Sequence, residues 1–300
     1  MAYHVPVLLK ECVDGLNIKP DGIYVDLTFG GGGHSKEILK HLTTGHLYSF
    51  DQDPDARKNA DEITSSSFTF IDANFRYLKR YLKLHGVTKV DGILGDLGIS
   101  SHQIDEGTRG FSTRFDAELD MRMDQQSPVT AKDILRTYSE DQLHKIFGMY
   151  GEVKNAKTLA NAIIQARNRG KIETTGELIS ILKPLAPRGA DFKYAAQVFQ
   201  ALRIEVNEEL KVLEEMLTQT GEVLNKGGRL VIMSYHSLED RLVKNYIAKG
   251  KFYGEVEKDI YGNFERPLEP VNKKPLEAGE EEIKTNPRAR SAKLRIAEKL

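Results

Sequence analysis

Between Ile23 and Asp96 four short β-branched or aromatic runs, Ile23–Asp26, His46–Asp51, Phe68–Asp72 and Val90–Asp96, each close on an aspartate. They alternate with helical patterns around Ser35–His41, Pro54–Ile63 and Phe75–His85. That alternation predicts an α/β fold, a doubly wound parallel sheet whose crossovers are the helices. Ligands of such sheets collect at the carboxyl ends of the strands, so the four carboxylates mark one rim. Each aspartate could equally cap the helix that follows it.

After Ser101 the periodicity changes. Residues 102–127 are irregular and charged, and 128–197 read as helices (Ala131–Leu135, Glu140–Tyr150, Asn155–Arg169, Thr175–Leu182) with no strand between them. A long amphipathic helix near Tyr194–Leu224, a Gly227-Gly228 turn and an apolar run Arg229–Ser234 then resume the α/β pattern. The chain therefore divides into a sheet domain begun by residues 1–104, an inserted helical domain at 105–197 and the rest of the sheet domain at 198–300. Lys251–Ile260, Leu268–Val271 and Ala292–Ala297 are expected as further strands.

Composition narrows the chemistry. Lys plus Arg (43) against Asp plus Glu (44) leaves a net charge of −1, so any grip on a polyanion must come from local patches. One cysteine, Cys12, excludes internal disulfides and cysteine-cluster metal sites and suits a reducing compartment, with the cytoplasm expected. No run approaches the roughly 20 apolar residues of a membrane span, and the N-terminus lacks the pattern of an export signal. The eight histidines form no H-x-x-x-H pattern, so no metal is expected.

The first strand runs into Asp26-Leu27-Thr28-Phe29-Gly30-Gly31-Gly32-Gly33-His34-Ser35. A nucleotide P-loop would need Gly-Lys-Ser/Thr, which is missing, and the dinucleotide fingerprint would need glycine where Ser35 stands. The spacing D-x-x-x-G-x-G (Asp26, Gly30, Gly32) resembles instead the S-adenosylmethionine loop of class I methyltransferases. A ribose diol needs a bidentate acceptor about 20 residues on, at the end of the second strand. Asp51 stands there and is favoured over Asp53, which could cap a helix starting at Pro54. Asp72-Ala73-Asn74-Phe75 offers polar groups and an aromatic face for an adenine, although Phe75 could equally be a core residue.

The segment Asp96–Asp124, DLGISSHQIDEGTRGFSTRFDAELDMRMD, strongly resembles the RsmH-type (MraW-type) methyltransferases, which modify the N4 amine of a decoding-centre cytosine in bacterial 16S rRNA. His4–Leu9 (HVPVLL), Phe199–Ile204 (FQALRI), Ser234–Arg241 (SYHSLEDR) and Asn286–Arg295 (NPRARSAKLR) match as well, in the same order. The chain departs from many relatives at Asp191–Val198 and at Asp116–Leu119. The resemblance implies a class I S-adenosylmethionine-dependent methyltransferase (Rossmann-like) sheet with an inserted helical domain that helps hold RNA. It assigns cofactor contact to Gly32, Gly33, His34, Asp51, Phe75, Asp96 and Gln103, and implies 16S rRNA, in the small ribosomal subunit, as partner.

Two catalytic candidates follow. Asp96, or a backbone carbonyl beside it, would accept a hydrogen bond from the N4 amine, and His236 could serve as a general base from the same rim or make a structural hydrogen bond. Asp96-Leu97-Gly98-Ile99 lacks the prolines and aromatic common in amino-group methyltransferases, so Phe111, Phe115 or Tyr235 is expected to stack on the base. RNA contacts are expected from the basic residues Lys284, Arg288, Arg290, Lys293, Arg295 and Lys299 and from Arg167, Arg169 and Lys171 of the insert.

Overall fold

The computed structural model describes residues 6–100, 103, 104 and 107–300. These fold as two compact units, one made of the chain up to Gly98 together with Leu210–Leu300, the other of Ile99–Glu209.

The first unit is built on seven strands: β1 (Ile23–Asp26), β2 (His46–Asp51), β3 (Phe68–Asp72), β4 (Val90–Asp96), β5 (Leu224–Ser234), β6 (Leu268–Pro270) and β7 (Lys293–Lys299). Their order is β3-β2-β1-β4-β5-β7-β6, with β3 through β5 parallel and β7 antiparallel to both its neighbours. The chain winds outward from β1 to β3, then returns to place β4 on the other side of β1, which creates a switch point between those two strands. Side chains alternate between two cores, as the two-residue period of a strand requires. Val25, Ile93, Leu230 and Ile232 join one, while Tyr24, Leu94, Val231 and Met233 join the other.

Helices α1 (Leu9–Leu16) and α2 (Gly33–Lys40) cover the second of these faces through Cys12, Val13, Leu16 and Ile38. On the first face lie α4 (Leu78–Leu84), α10 (Glu209–Val223) and α11 (Ser237–Lys249), whose Leu82, Met216 and Val243 are buried. The remaining helices of this unit are α3 (Pro54–Ala60) and the short α12 (Glu280–Thr285). A bidentate pair, Arg76 with Glu215 at 2.7 and 2.9 Å, ties the loop after β3 to α10.

The second unit contains α5 (Ala131–Thr137), α6 (Glu140–Met149), α7 (Ala156–Arg169), α8 (Thr175–Leu182) and α9 (Asp191–Val206). Reciprocal capping boxes, Thr130 with Asp133, Ser139 with Gln142 and Thr174 with Glu177, start α5, α6 and α8. Its own core gathers Ile134, Leu143, Phe147, Leu159, Ile163, Leu178, Val198 and Leu202.

Three sequence expectations need correction. The single helix expected over Tyr194–Leu224 is two, because Glu208 takes φ 49° and Asn207 turns its amide to the Met121 carbonyl and the Met123 N–H. The helical unit spans Ile99–Glu209 and the sheet unit resumes at Leu210, where the sequence places these bounds at 105–197 and 198. The pattern at Phe75–His85 begins as a 3₁₀ turn, Phe75–Tyr77, before α4. Lys251–Ile260 is not a strand: Gly254 at φ 73° breaks it, and Asp259 closes a turn on the N–H groups of Tyr261 and Asn263. No helix among the described residues is long and apolar enough to cross a membrane.

Candidate active site at the carboxyl ends of the strands

The four strand-end aspartates fall into different roles. Asp26 is buried and spent within the protein, accepting from the Thr28 N–H at 3.1 Å and the Ser35 hydroxyl at 2.6 Å, which in turn meets Ser49 at 2.8 Å. It locks the glycine turn to the start of α2. Asp72 is exposed and pairs with Arg57 at 3.2 Å. That leaves Asp51 and Asp96.

Asp51 closes β2 opposite the turn. Its Oδ2 accepts the Gly30 N–H at 2.8 Å and its Oδ1 the Asp53 N–H at 2.9 Å. Each carboxylate oxygen carries two acceptor sites, so a second remains on each for a vicinal diol. Burial raises its pKa to about 6 against those two N–H groups, which pull it down. Asp53 instead caps α3, accepting the Asp55 N–H at 3.0 Å with Pro54 at the first helical position. The alternative between the two carboxylates thus divides into one facing the turn and one terminating a helix.

Asp96 closes β4 at the switch point. Its N–H donates to the Thr28 hydroxyl at 2.7 Å, its Oδ1 accepts from the Tyr235 hydroxyl at 2.8 Å, and its Oδ2 stands 4.0 Å from Nδ1 of His34. The side chain keeps 23% of its surface exposed, enough to meet a ligand. Burial lifts its pKa to about 6, opposed by His34 and the Tyr235 hydroxyl and reinforced by Asp26 and Glu239. Tyr235 is correspondingly pushed up by burial and by Asp96. His34, in the first turn of α2, is buried and its pKa lowered by desolvation, so the imidazole is neutral near pH 7. Its Nε2 has no hydrogen-bond partner among the described residues.

Two carboxylates, Asp51 and Asp96, and a tight glycine turn thus line the carboxyl ends of β1, β2 and β4. The whole chain, residues 1–300, matches the MraW methylase family. The chain belongs to that family. It is 63% identical over 297 residues to the ribosomal RNA small subunit methyltransferase H of Cytophaga hutchinsonii, covering 99% of each chain. It is 58% identical over 301 residues to the protein of that name from Christiangramia forsetii, covering 100% of this chain and 99% of the relative. A third relative of the same name, from Phocaeicola vulgatus, is 56% identical over 298 residues, covering 99% of this chain and 97% of its own. The sheet of this MraW methylase is the class I, Rossmann-like methyltransferase sheet that the sequence predicts.

Within this family member, six of the seven cofactor candidates, Gly32, Gly33, His34, Asp51, Phe75 and Asp96, belong to the sheet unit. Gln103 belongs to the helical unit, buried, with its Oε1 on the Ser100 N–H at 3.0 Å. Two of the glycines have a packing reason within the protein. Gly32 sits at φ 75° over the Phe29 ring, and a Cβ on Gly33 would overlap Cγ of Pro6. We therefore expect Gly33→Ala to lower thermal stability by about 1–3 kcal/mol through overpacking, measured by denaturant unfolding of the cofactor-free protein. An unchanged midpoint would show that Pro6 yields freely. Phe75 is half-buried and packs against the sheet core, and Asn74 beside it caps the 3₁₀ turn and donates to Gln52 at 2.7 Å.

His236 occupies the N-cap of α11. Its Nδ1 accepts the Glu239 N–H at 3.4 Å and its Nε2 faces Glu239 Oε1 at 3.1 Å, while Glu239 Oε2 accepts the N–H groups of Tyr235 and His236. Both ring nitrogens are thereby turned toward one carboxylate residue of its own helix. Of the expected stacking partners, Phe111 is buried in the helical core, Phe115 is exposed, and the Tyr235 hydroxyl is committed to Asp96. The basic patches are also partly consumed. Arg295 is buried against Asp240 in a bidentate pair at 2.7 and 3.1 Å, and Arg167 donates to the Leu135 and Tyr138 carbonyls. His4, Val5, Ser101, His102, Asp105 and Glu106 of the matching motifs lie outside the described residues. Sequence reading missed Thr28, Ser35 and Ser49, and named Tyr235 without its bond to Asp96, since nothing local reveals hydrogen bonds that span up to 139 residues.

Proposed function

We propose that this chain transfers a methyl group from S-adenosylmethionine to the exocyclic N4 amine of a cytosine in the decoding centre of bacterial 16S rRNA, within the small ribosomal subunit and so in the cytoplasm. The names of its relatives and the motif resemblance support the RNA substrate. The observation that carries the chemistry is Asp96, a partly exposed carboxylate fixed at the switch point by Thr28 and Tyr235.

The residues present suit the cofactor. Asp51 would hold the ribose diol with its two remaining acceptor sites, Phe75 would lie against the adenine, and Gly32, Gly33 and His34 would flank the methionine end; Gln103 is the remaining cofactor contact that the resemblance implies. When bound, the cofactor supplies an electrophilic methyl group. The chain's own task is to make a poor nucleophile competent, because the N4 lone pair is delocalised into the pyrimidine ring. Asp96 would accept a hydrogen bond from one N4 proton, favour the tetrahedral nitrogen and take up the proton released as the new carbon–nitrogen bond forms. His236 is a structural cap in this account, which its capping box supports.

Tyr235 acts as a positioning residue for Asp96. Its hydroxyl stabilises the carboxylate form, so Tyr235→Phe should raise the Asp96 pKa and lower kcat about tenfold at neutral pH, within the usual worth of a hydrogen bond to a charged group. The acid limb of the pH–rate profile should move to higher pH. An unmoved limb would remove Tyr235 from the mechanism.

The reading is tested with labelled S-adenosylmethionine and separate pools of DNA, naked 16S rRNA and undermethylated small subunits. Label in the small-subunit or 16S pool supports it; label in DNA alone would replace it with a DNA methyltransferase.

A further inference from the structure

The cations expected from sequence to meet RNA are partly engaged in holding the fold, but a different group on the helical unit is not. Three segments converge on Asn155 at the start of α7. Its Nδ2 donates to the Leu185 carbonyl at 3.1 Å, and its Oδ1 accepts from the Tyr194 hydroxyl at 2.9 Å. Residues 151–155 are also joined to α9 through Gln197, which donates to the Glu152 carbonyl at 3.2 Å. The junction therefore brings together the approach to α7, the 3₁₀ turn Lys183–Leu185 after α8, and the first turn of α9.

On these three segments, within a few residues of the junction in sequence, lie Lys154, Lys157, Lys183, Arg188 and Lys193, all exposed, alongside the carboxylates Glu152 and Asp191. Among the described residues none of these five cations is held in an ion pair. In a chain of net charge −1 this is a marked local surplus. At its edge Phe192 is 80% exposed, an apolar ring that the core does not use. Arginine and lysine in the correct number would suit any polyanion, and an exposed ring alone would suit many partners. The combination suits a single-stranded nucleic acid, whose phosphates meet the cations while an unpaired base covers the ring.

Resting on the proposed RNA substrate, we infer that this junction is a landing surface for a single-stranded stretch of that RNA, with Phe192 stacking on a base and Lys154, Lys157 and Lys193 contacting the backbone. None of its residues is among those assigned above to cofactor and amine.

The test uses the full chain and a fluorescein-labelled unstructured oligoribonucleotide, with a duplex RNA of the same length beside it. Lys154→Gln/Lys157→Gln/Lys193→Gln should weaken binding at least about tenfold at low salt and flatten the log–log salt dependence by about 2, given roughly 0.7 per backbone contact on single strands. Phe192→Ala should weaken binding of the single strand about tenfold with the salt slope unchanged, since stacking involves no counterion release, and should leave the duplex unaffected. Unfolding midpoints and S-adenosylmethionine affinity should match the parent in both variants.

Normal affinity and salt slope in both variants, while the parent chain methylates RNA, would overturn the surface and spare the proposed function. Loss of RNA binding in the variants of a chain that methylates no RNA would keep the surface and overturn the function. Equal loss on duplex and single strand with Phe192→Ala would overturn the stacking role.

Discussion

Asp96→Asn is expected to lower turnover at saturating S-adenosylmethionine by about 10²–10⁴-fold, the usual worth of a positioned proton acceptor. Asparagine keeps the volume and can still accept the Tyr235 hydroxyl, so the loss reports on the charge and basicity of the carboxylate. The parent enzyme should show an acid limb in kcat/KM near pH 6, because the folded carboxyl is pushed up to about 6 and only its ionised form accepts a proton. That limb should be missing from the residual activity of Asp96→Asn. Stability should move the opposite way. The folded pKa lies above the ordinary aspartate value of 3.8, so between about pH 4 and 6 the native state holds more proton than the unfolded chain, and this group's contribution falls as pH rises. Above pH 6 the buried charge is a constant destabilisation. The cofactor-free Asp96→Asn protein should therefore melt a few degrees higher than the parent at pH 7, with the gap closing toward pH 4. A variant that is both fully active and no more stable would refute both halves of the argument.

Asp51→Ala should raise the Kd for S-adenosylmethionine about a hundredfold in calorimetric titration, since it removes a charged acceptor for two diol hydrogen bonds. It also frees the Gly30 N–H, which Asp51 holds at 2.8 Å, and so loosens the turn on which the cofactor would rest. Asp53→Ala, two residues away, is the informative contrast. That change removes a helix cap, costing about 1 kcal/mol of stability, and should alter the Kd by no more than a few-fold. If Asp53→Ala weakened the cofactor as much as Asp51→Ala, the division of labour in the Asp51-Gln52-Asp53 turn would be wrong.

That division was legible in sequence because Pro54 marks Asp53 as a cap. The four parallel strands were legible for a similar reason: each is a short apolar run stopped by an aspartate, and the structure reproduces the bounds Ile23–Asp26, His46–Asp51, Phe68–Asp72 and Val90–Asp96. Helix α8, opened by the Thr174–Glu177 box, was equally plain. The break between α9 and α10 was not, because its left-handed residue is Glu208 and its stop is Asn207 bound to residues 84 and 86 positions away. At the site, sequence placed Asp96 on the rim but could not show that Tyr235 holds it from the end of β5. Nor could it show that Pro6 packs where a side chain on Gly33 would stand.

The most direct measurement is nucleoside analysis of 16S rRNA after methyl transfer by the purified chain to small subunits from cells lacking the enzyme. The account predicts N4-methylcytidine at a decoding-centre position, formed by the parent and sharply reduced with Asp96→Asn. Methyl on a ring carbon, on another base or on no RNA at all would contradict it.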